Sequence, residues 1–544
     1  MKLTNNLFSL LLSVFLQGLM STVNGQPAEV KTKEGQPSTD LLIKNGRIID
    51  GTGNNWYYGD VAVKDGKIIR IGKLQDWTAV KTIDAKGMAV VPGFIDVHAH
   101  IETGIFERPT ADNFIYDGVT TVVTGNCGNS ADDLSVFFTR IDSMKTSINI
   151  ASLAGHNTIK RLGMGLNNRL PTTEEQAKME GLMDQAMKDG AVGLSTGLIY
   201  LPGMYANTEE IVSLAKIAAK YNGVYATHMR NEGSKVTEAI EEALTIGRQS
   251  GIPVQISHFK LSGRSNWGKS NITLGMVEKA RREGIEVTID QYPYTAGSTN
   301  LAVLVPDWSL EGGLDSLRKR IEDPVIKKKI IDDMAFNTIE GKNKNFEYAV
   351  VAMYAPDTSF NGKNISEINQ LKGRKKKLRY ESETILDMLK VGNAQMIYHT
   401  INENDLQYFI KYPYNMPAAD AGVSNGKGMP HPRGYGTNAR VLGRYVRELK
   451  LIELEDAIRR MTSLPAQKFG LHNKGMLREG FDADIVIFDP ATISDKAEFT
   501  NPHQFSTGIP YVIVNGEPVI EDSKHTGVRS GKSLRKLSEL TSSR

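Results

Sequence analysis

His228 and His258 close two strand-like runs, VYATH and PVQISH, and this spacing constrains the fold more than any other feature. Between them, residues 235–249 place Val236, Ala239, Ile240, Ala243, Leu244 and Gly247 on one face at helical spacing. Strand, helix and strand in that order form a βα unit of the parallel-sheet type, so the two histidines end neighbouring strands. The pattern recurs along the chain. Residues 172–188 read as a helix, and strand ends at 90–96, 119–124, 148–152, 191–195, 224–227, 254–257, 287–289 and 416–419 give eight candidates. Such a series predicts an α/β fold, a TIM-like (β/α)8 barrel with its site at the C-terminal strand ends. Residues 395–400 (QMIYHT) read as a ninth strand, and the sequence leaves open which of the nine lies outside.

The barrel region, 90–465, spans roughly 375 residues, against about 250 for a plain barrel. The excess at about 300–394 reads as an insertion after the seventh strand, placed to serve as a lid. Its most basic run, LKGRKKKLRY at 371–380, holds one tyrosine and reads as a solvated face. Residues 40–89 and 466–522 have a different texture, with short strands and Asn-Gly or Asp-Gly pairs. Asn45-Gly46, Asp65-Gly66 and Asn515-Gly516 read as hairpin turns. Neither segment makes a comfortable core alone, so the two together predict a small β-sandwich built from both chain ends, with 523–544 as a tail.

The first 25 residues carry Lys2, the apolar run 7–16 and small residues before Gln26, the pattern of a secretory signal. A polar linker, 26–39, follows. The expectation is a secreted or periplasmic protein, not membrane-bound once the signal is cleaved. A net charge of +3 argues against a dedicated nucleic-acid binder. A single cysteine, Cys127, rules out an intramolecular disulfide, so the core must hold the fold.

In VVPGFIDVHAH, side chains alternate, so His98 and His100 point the same way and can close on one metal ion. Alone, HxH is a common string. It gains meaning because Cys127 in TGNCG, His228, His258 and Asp420 in MPAAD also stand at strand ends. Together they form an oxygen, nitrogen and sulfur set suited to zinc.

The strings VPGFIDVHAH, DGVTTVVTGNCG, AVGLSTGLIY, ATHMRNEG, QISHFK, DQYPYTAGST, HPRGYGTNARVLGRYVRE and ADIVIFDP resemble the N-acyl-D-amino-acid deacylase (D-aminoacylase) branch of the amidohydrolase superfamily. The resemblance runs from about residue 40 to about 520. It implies that Cys127, His228 and His258 hold a tighter zinc, and that His98, His100 and Asp420, with a Cys127 bridge, form a weaker second site. It further implies that Lys260, Tyr292 and Ser298, assisted by Arg433, grip a substrate carboxylate, and that Asp420 carries the proton during amide hydrolysis. Lys260, two residues past His258, would face the same side on a continuing strand. His156 is a candidate pocket residue; His399, His472, His503 and His525 are read as structural or exposed. One departure stands out: Ile101-Glu102-Thr103 follows the HxH pair where the family pattern has an aspartate. The implied partner is a small N-acyl amino acid. A cyclic amidase, a dipeptidase or an inactive secreted binding protein remain as alternatives, and oligomeric state, acyl length and side-chain preference stay open.

Overall fold

The computed structural model describes residues 38–536. The signal expected at 1–25 and most of the linker lie outside these residues, although Ser38 and Thr39 already belong to a strand. That strand, β1 (Ser38–Ile48), is followed by β2 (Tyr57–Lys64), β3 (Lys67–Gly72), β4 (Thr78–Asp84) and β5 (Ala89–Pro92). Then come β6 (Phe94–Asp96), β7 (Val119–Thr124), β8 (Asn149–Ser152), β9 (Ala154–Gly155), β10 (Gly193–Gly197), β11 (Val224–His228), β12 (Val254–Ile256) and β13 (Val287–Gln291). The series ends with β14 (Gly297–Asn300), β15 (Ala349–Met353), β16 (Gln395–Tyr398), β17 (Asn415–Pro417), β18 (Ile485–Phe488), β19 (Tyr511–Val514), β20 (Glu517–Glu521) and β21 (Lys524–His525).

The barrel consists of two parallel runs, β6-β7-β8 and β9-β10-β11-β12-β13-β17. They join where Val192 N donates to Ser152 O (2.9 Å) and where His100 N donates to Ala421 O (2.9 Å). With β8 and β9 sharing one position, eight strand positions result. The helices between them follow the apolar stripes: Thr173–Lys188 starts at a capping box of Thr172 and Glu175, and Val236–Ser250 buries the six residues named above. β16, the ninth candidate, is the one outside. It pairs antiparallel with β14 and β15, and this small sheet packs on the insertion's own apolar core of Leu301, Leu317, Ile330, Ile365 and Ile385.

Both chain ends share one sheet, in the order β21-β20-β19-β18-β5-β1-β2-β3, with β4 on β1. Ile43, Val61, Ile68, Ile485, Ile487 and Ile513 fill its core. Three expectations change here. The run 90–96 is two strands: β5 belongs to this sheet and β6 to the barrel, divided at Gly93, where a Cβ would stand 2.1 Å from Thr120 Oγ1. Asn45-Gly46 is a bulge inside β1, where the pairing with β2 shifts register and Asn45 takes φ +56°; a Gly46 Cβ would strike Val90. Asp65-Gly66 and Asn515-Gly516 do close the β2–β3 and β19–β20 hairpins. The segment expected as a tail is docked as far as residue 536, with Gly531 N donating to Thr146 O (2.7 Å) and Leu534 N to Ile150 O (2.7 Å). No helix among the described residues is long and apolar enough to cross a membrane.

Candidate metal centre and active site

Backbone ties at the C-terminal strand ends aim the donors inward. Asp96 accepts from His98 N and from Ala419 N (both 2.9 Å), so one buried carboxyl sets the chain before the HxH pair and before Asp420. Asn126 Nδ2 donates to Val97 O and Val123 O and fixes the turn that carries Cys127. Glu102, the departure from the family pattern, braces the same turn, accepting from Thr124 Oγ1 (2.5 Å) and Gly125 N (2.6 Å). Cys127 (φ +52°), His258 (φ +35°) and Asp420 (φ +48°) all adopt left-handed backbone, which swings each side chain off the strand direction.

The Cys127 Sγ lies 3.3 Å from His98 Nε2, 3.7 Å from His228 Nδ1 and 3.8 Å from His258 Nε2. Asp420 Oδ1 lies 3.2 Å from His100 Nε2 and 3.5 Å from His98 Nε2. The six expected ligands therefore come together. A tetrahedral zinc with Zn–S near 2.3 Å and Zn–N near 2.05 Å separates sulfur from nitrogen by about 3.6 Å, and the three sulfur–nitrogen distances bracket that value. Burial, with Asp420 and Glu232 nearby, pushes the Cys127 thiol well above its usual range, so a thiolate here needs a cation beside it. The donor set fits zinc.

A cavity of about 1200 Å³ opens above these donors, and Lys260, Tyr292, Ser298 and Arg433 line it. β12 stops at Ile256, so Lys260 does not reach the site along a continuing strand; the left-handed turn at His258 brings it there. Its Nζ donates to Glu232 Oε1 at 2.5 Å. Arg433 pairs with Asp420 Oδ2 (2.8 Å), stacks over Tyr292 at 4.3 Å, and leaves its buried Nη1 without a partner among the described residues. Burial alone would raise the Asp420 carboxyl, but Arg433, His98 and His100 reverse this and hold it well below the usual carboxylate range. Ser298 already donates its hydroxyl proton to Met396 O (2.7 Å) and accepts from Gln395 Nε2 (2.9 Å), so its hydroxyl is bonded within its own small sheet and has no proton to offer a carboxylate. His156 does not line the cavity. It is buried with Nε2 2.8 Å from Glu210 Oε1, in a charged cluster completed by Lys160.

Two further acids belong to the site. Asp290 Oδ1 accepts from His258 N (2.7 Å) and stands 3.4 Å from His98 Nδ1. Glu232 Oε1 lies 2.8 Å from His258 Nδ1. Asp290 ends a barrel strand one βα unit after His258, the same position rule that singled out the histidines.

A profile of the amidohydrolase family matches residues 81–290 and 426–520. The chain is 35% identical to a D-aminoacylase of Alcaligenes xylosoxydans xylosoxydans, over 91% of this chain and 97% of the relative. It is 33% identical to an N-acyl-D-glutamate deacylase of the same organism, over 92% and 97%. Among solved structures, an N-acyl-D-glutamate deacylase from Bordetella bronchiseptica, complexed with zinc and a phosphonate mimic of the tetrahedral intermediate, matches with a TM-score of 0.79 at 34% identity, covering 92% of this chain and 100% of that one. The barrel and the joined end sheet agree with these similarities, as does a donor set that fits zinc, and the chain belongs to the amidohydrolase family, in its D-aminoacylase branch.

Proposed function

We propose that the chain is a zinc-dependent deacylase of N-acyl-D-amino acids with neutral, apolar side chains, releasing a carboxylic acid and a D-amino acid. The carrying observation is the convergence of a thiol and three imidazoles at zinc-like separations, with His100 and Asp420 beside them, under a cavity lined by Lys260 and Arg433. Zinc, when bound, supplies Lewis-acid activation that brings the pKa of water from 15.7 to about 7.

Cys127, His228 and His258 are read as the tighter holders, because all three are buried and both rings turn a nitrogen toward the Cys127 Sγ. His98, His100 and Asp420 form the weaker set: the His100 side chain is 32% exposed, and Asp420 also engages Arg433. Asp420 stands ionised, and its Oδ1 is placed to accept the proton of the attacking water and to return it to the departing amine. Arg433 Nη1 and the Tyr292 hydroxyl, which has no hydrogen-bond partner among the described residues, offer donors to the substrate carboxylate, with Lys260 supplying charge beside them.

The side-chain preference follows from the cavity's cations. Arg230 is held by Glu242 and by the carbonyls of Met204 and Ala206, Lys260 by Glu232, and Arg433 by Asp420; Lys427 stands exposed at the rim. Leu198, Met204, Ala302, Leu304 and Leu310 supply apolar wall. An acidic side chain placed there would lose its water with no further unpaired buried cation among the described residues there to replace it, since Arg433 Nη1 serves the α-carboxylate. The test is zinc-reconstituted enzyme offered the N-acetyl derivatives of D-leucine, L-leucine and D-glutamate. Cleavage confined to D-leucine is expected, and preference for the L form or for D-glutamate would refute the reading. The apolar run at 7–16 supports export to the periplasm or beyond, which cell fractionation would check.

A further inference from the structure

Glu232 contacts more of the centre than its loop position suggests. The strand β11 ends at His228, and the chain then turns back on Asn231, whose Oδ1 accepts from Gly233 N and Lys235 N (2.9 Å each). Arg230 is tied to Glu242, and the turn presents Glu232 to the site. There, Oε1 meets His258 Nδ1 at 2.8 Å and Lys260 Nζ at 2.5 Å, while Oε2 stands 3.9 Å from His228 Nε2. The carboxylate thus lies behind both zinc-facing rings, on the side away from Cys127.

We infer that Glu232 is a positioning residue that keeps the ring proton of His258 on Nδ1, and so keeps the Nε2 lone pair free for zinc. The His258 ring has two neutral tautomers, and its partners choose between them. Glu232 can only accept at Nδ1, which places the proton there and turns the Nε2 lone pair toward Cys127 Sγ, 3.8 Å away. Lys260 Nζ, 3.1 Å from the same Nδ1, can only donate. If it did so, Nδ1 would have to be the acceptor, and the proton would sit on Nε2, facing the thiol. Glu232 competes with this contact, its Oε1 lying nearer than Lys260 to Nδ1 (2.8 Å) and drawing the Lys260 donor to itself at 2.5 Å. The acid therefore does two things at once: it orients the ring and it keeps a neighbouring ammonium from selecting the wrong tautomer. Carboxylates behind metal-binding histidines are a recurrent device for the first of these. The second is particular to the Lys260 contact.

The inference rests on the zinc site proposed above, and the two are tested separately. Zinc affinity is measured by competition with a chromophoric chelator for the wild type, Glu232→Leu, Lys260→Met and the double variant. Failure of the wild type to take up zinc would overturn the zinc site itself. With that in place, Glu232→Leu is expected to bind zinc about 10- to 100-fold more weakly, and Lys260→Met as tightly as the wild type. The double variant is expected to recover at least about 5-fold over Glu232→Leu, because the competing donor has gone. A residue that merely anchored its loop would give a double variant no tighter than Glu232→Leu, and that result overturns the inference, as does wild-type affinity in Glu232→Leu. Should leucine prevent folding, Glu232→Gln, alone and with Lys260→Met, is read by the same ordering.

Discussion

Replacing the free carboxylate of N-acetyl-D-leucine by a carboxamide probes the recognition end of the cavity without touching the protein. Among the described residues the buried Arg433 Nη1 has no partner, and the Tyr292 hydroxyl beside it is free to donate. A hydrogen bond to a charged group contributes about 1.5–3 kcal/mol and a neutral one about 0.5–1.5 kcal/mol, so the Tyr292 bond loses about 1–1.5 kcal/mol when the charge is removed. Arg433, still charged itself, loses a similar ion-pair attraction, for about 2–3 kcal/mol together. Lys260 adds little to this sum, since Glu232 satisfies it whether or not the substrate is charged. The expected fall in kcat/KM is on the order of 100-fold, about 2.7 kcal/mol at 1.36 kcal/mol per tenfold. Release of D-amino product, followed by chromatography, measures it for both substrates. Arg433→Met also disturbs Asp420, so absolute rates in that variant mislead; the ratio of acid to carboxamide cancels the common effect and is expected to collapse to roughly 10-fold or less. Equal kcat/KM on acid and carboxamide in the wild type would refute the carboxylate clamp and return the cyclic amidases to consideration.

Three further outcomes are expected. Asp420→Asn should retain zinc at the Cys127, His228 and His258 donors but lose hydrolysis by about 100-fold or more, and near-normal turnover would remove the proton-carrying role. Cys127→Ala should lose zinc and most activity; stoichiometric zinc at wild-type affinity, read by chelator competition, would make the thiol a core residue only. Lys468 is buried and its ammonium is pulled down to about 8 by that burial, only partly offset by Glu286. The unfolded chain then holds the extra proton between about pH 8 and 10.5, so this group makes stability rise with pH across that window, and the urea midpoint of the wild type should gain on that of Lys468→Met there. A constant difference between the two would contradict it.

Period and position carried much of the fold. The apolar stripe of 236–250 and the strand-end histidines at 228 and 258 follow from side-chain geometry that any sequence displays. The misreadings have local causes. Asn45-Gly46 has the composition of a turn, but β1 continues through it because Val90 of β5 packs where a Gly46 side chain would be, a long-range contact no window of sequence contains. The run 90–96 carries Pro92-Gly93 at its middle, a breaker that a single-strand reading passes over, and the approach of Thr120 shows why Gly93 divides it. His156 has the same flanking pattern as a pocket residue, yet Glu210, from the next helix but one, and Lys160 make it part of a buried charge cluster.

The centre itself was legible as a set of residue types and illegible as a geometry. Strand alternation places His98 and His100 on one face, but it cannot place Cys127, His258 or Asp420, because each leaves its strand through a left-handed residue. None of the three is glycine, and each such conformation costs of order 1–3 kcal/mol unless its surroundings enforce it. The enforcing contacts are visible: Asn126 for the cysteine turn, Asp290 on His258 N, and Asp96 on Ala419 N just before Asp420. These polar side chains have no place in a metal-ligand motif, yet they turn three strand ends toward one point. The strain therefore lies where the ligands are, and the residues that sustain it are buried acids and an amide whose partners lie on other strands. A ligand search by residue type finds the donors; the search for what holds them must start from the backbone groups that those donors leave to be bonded.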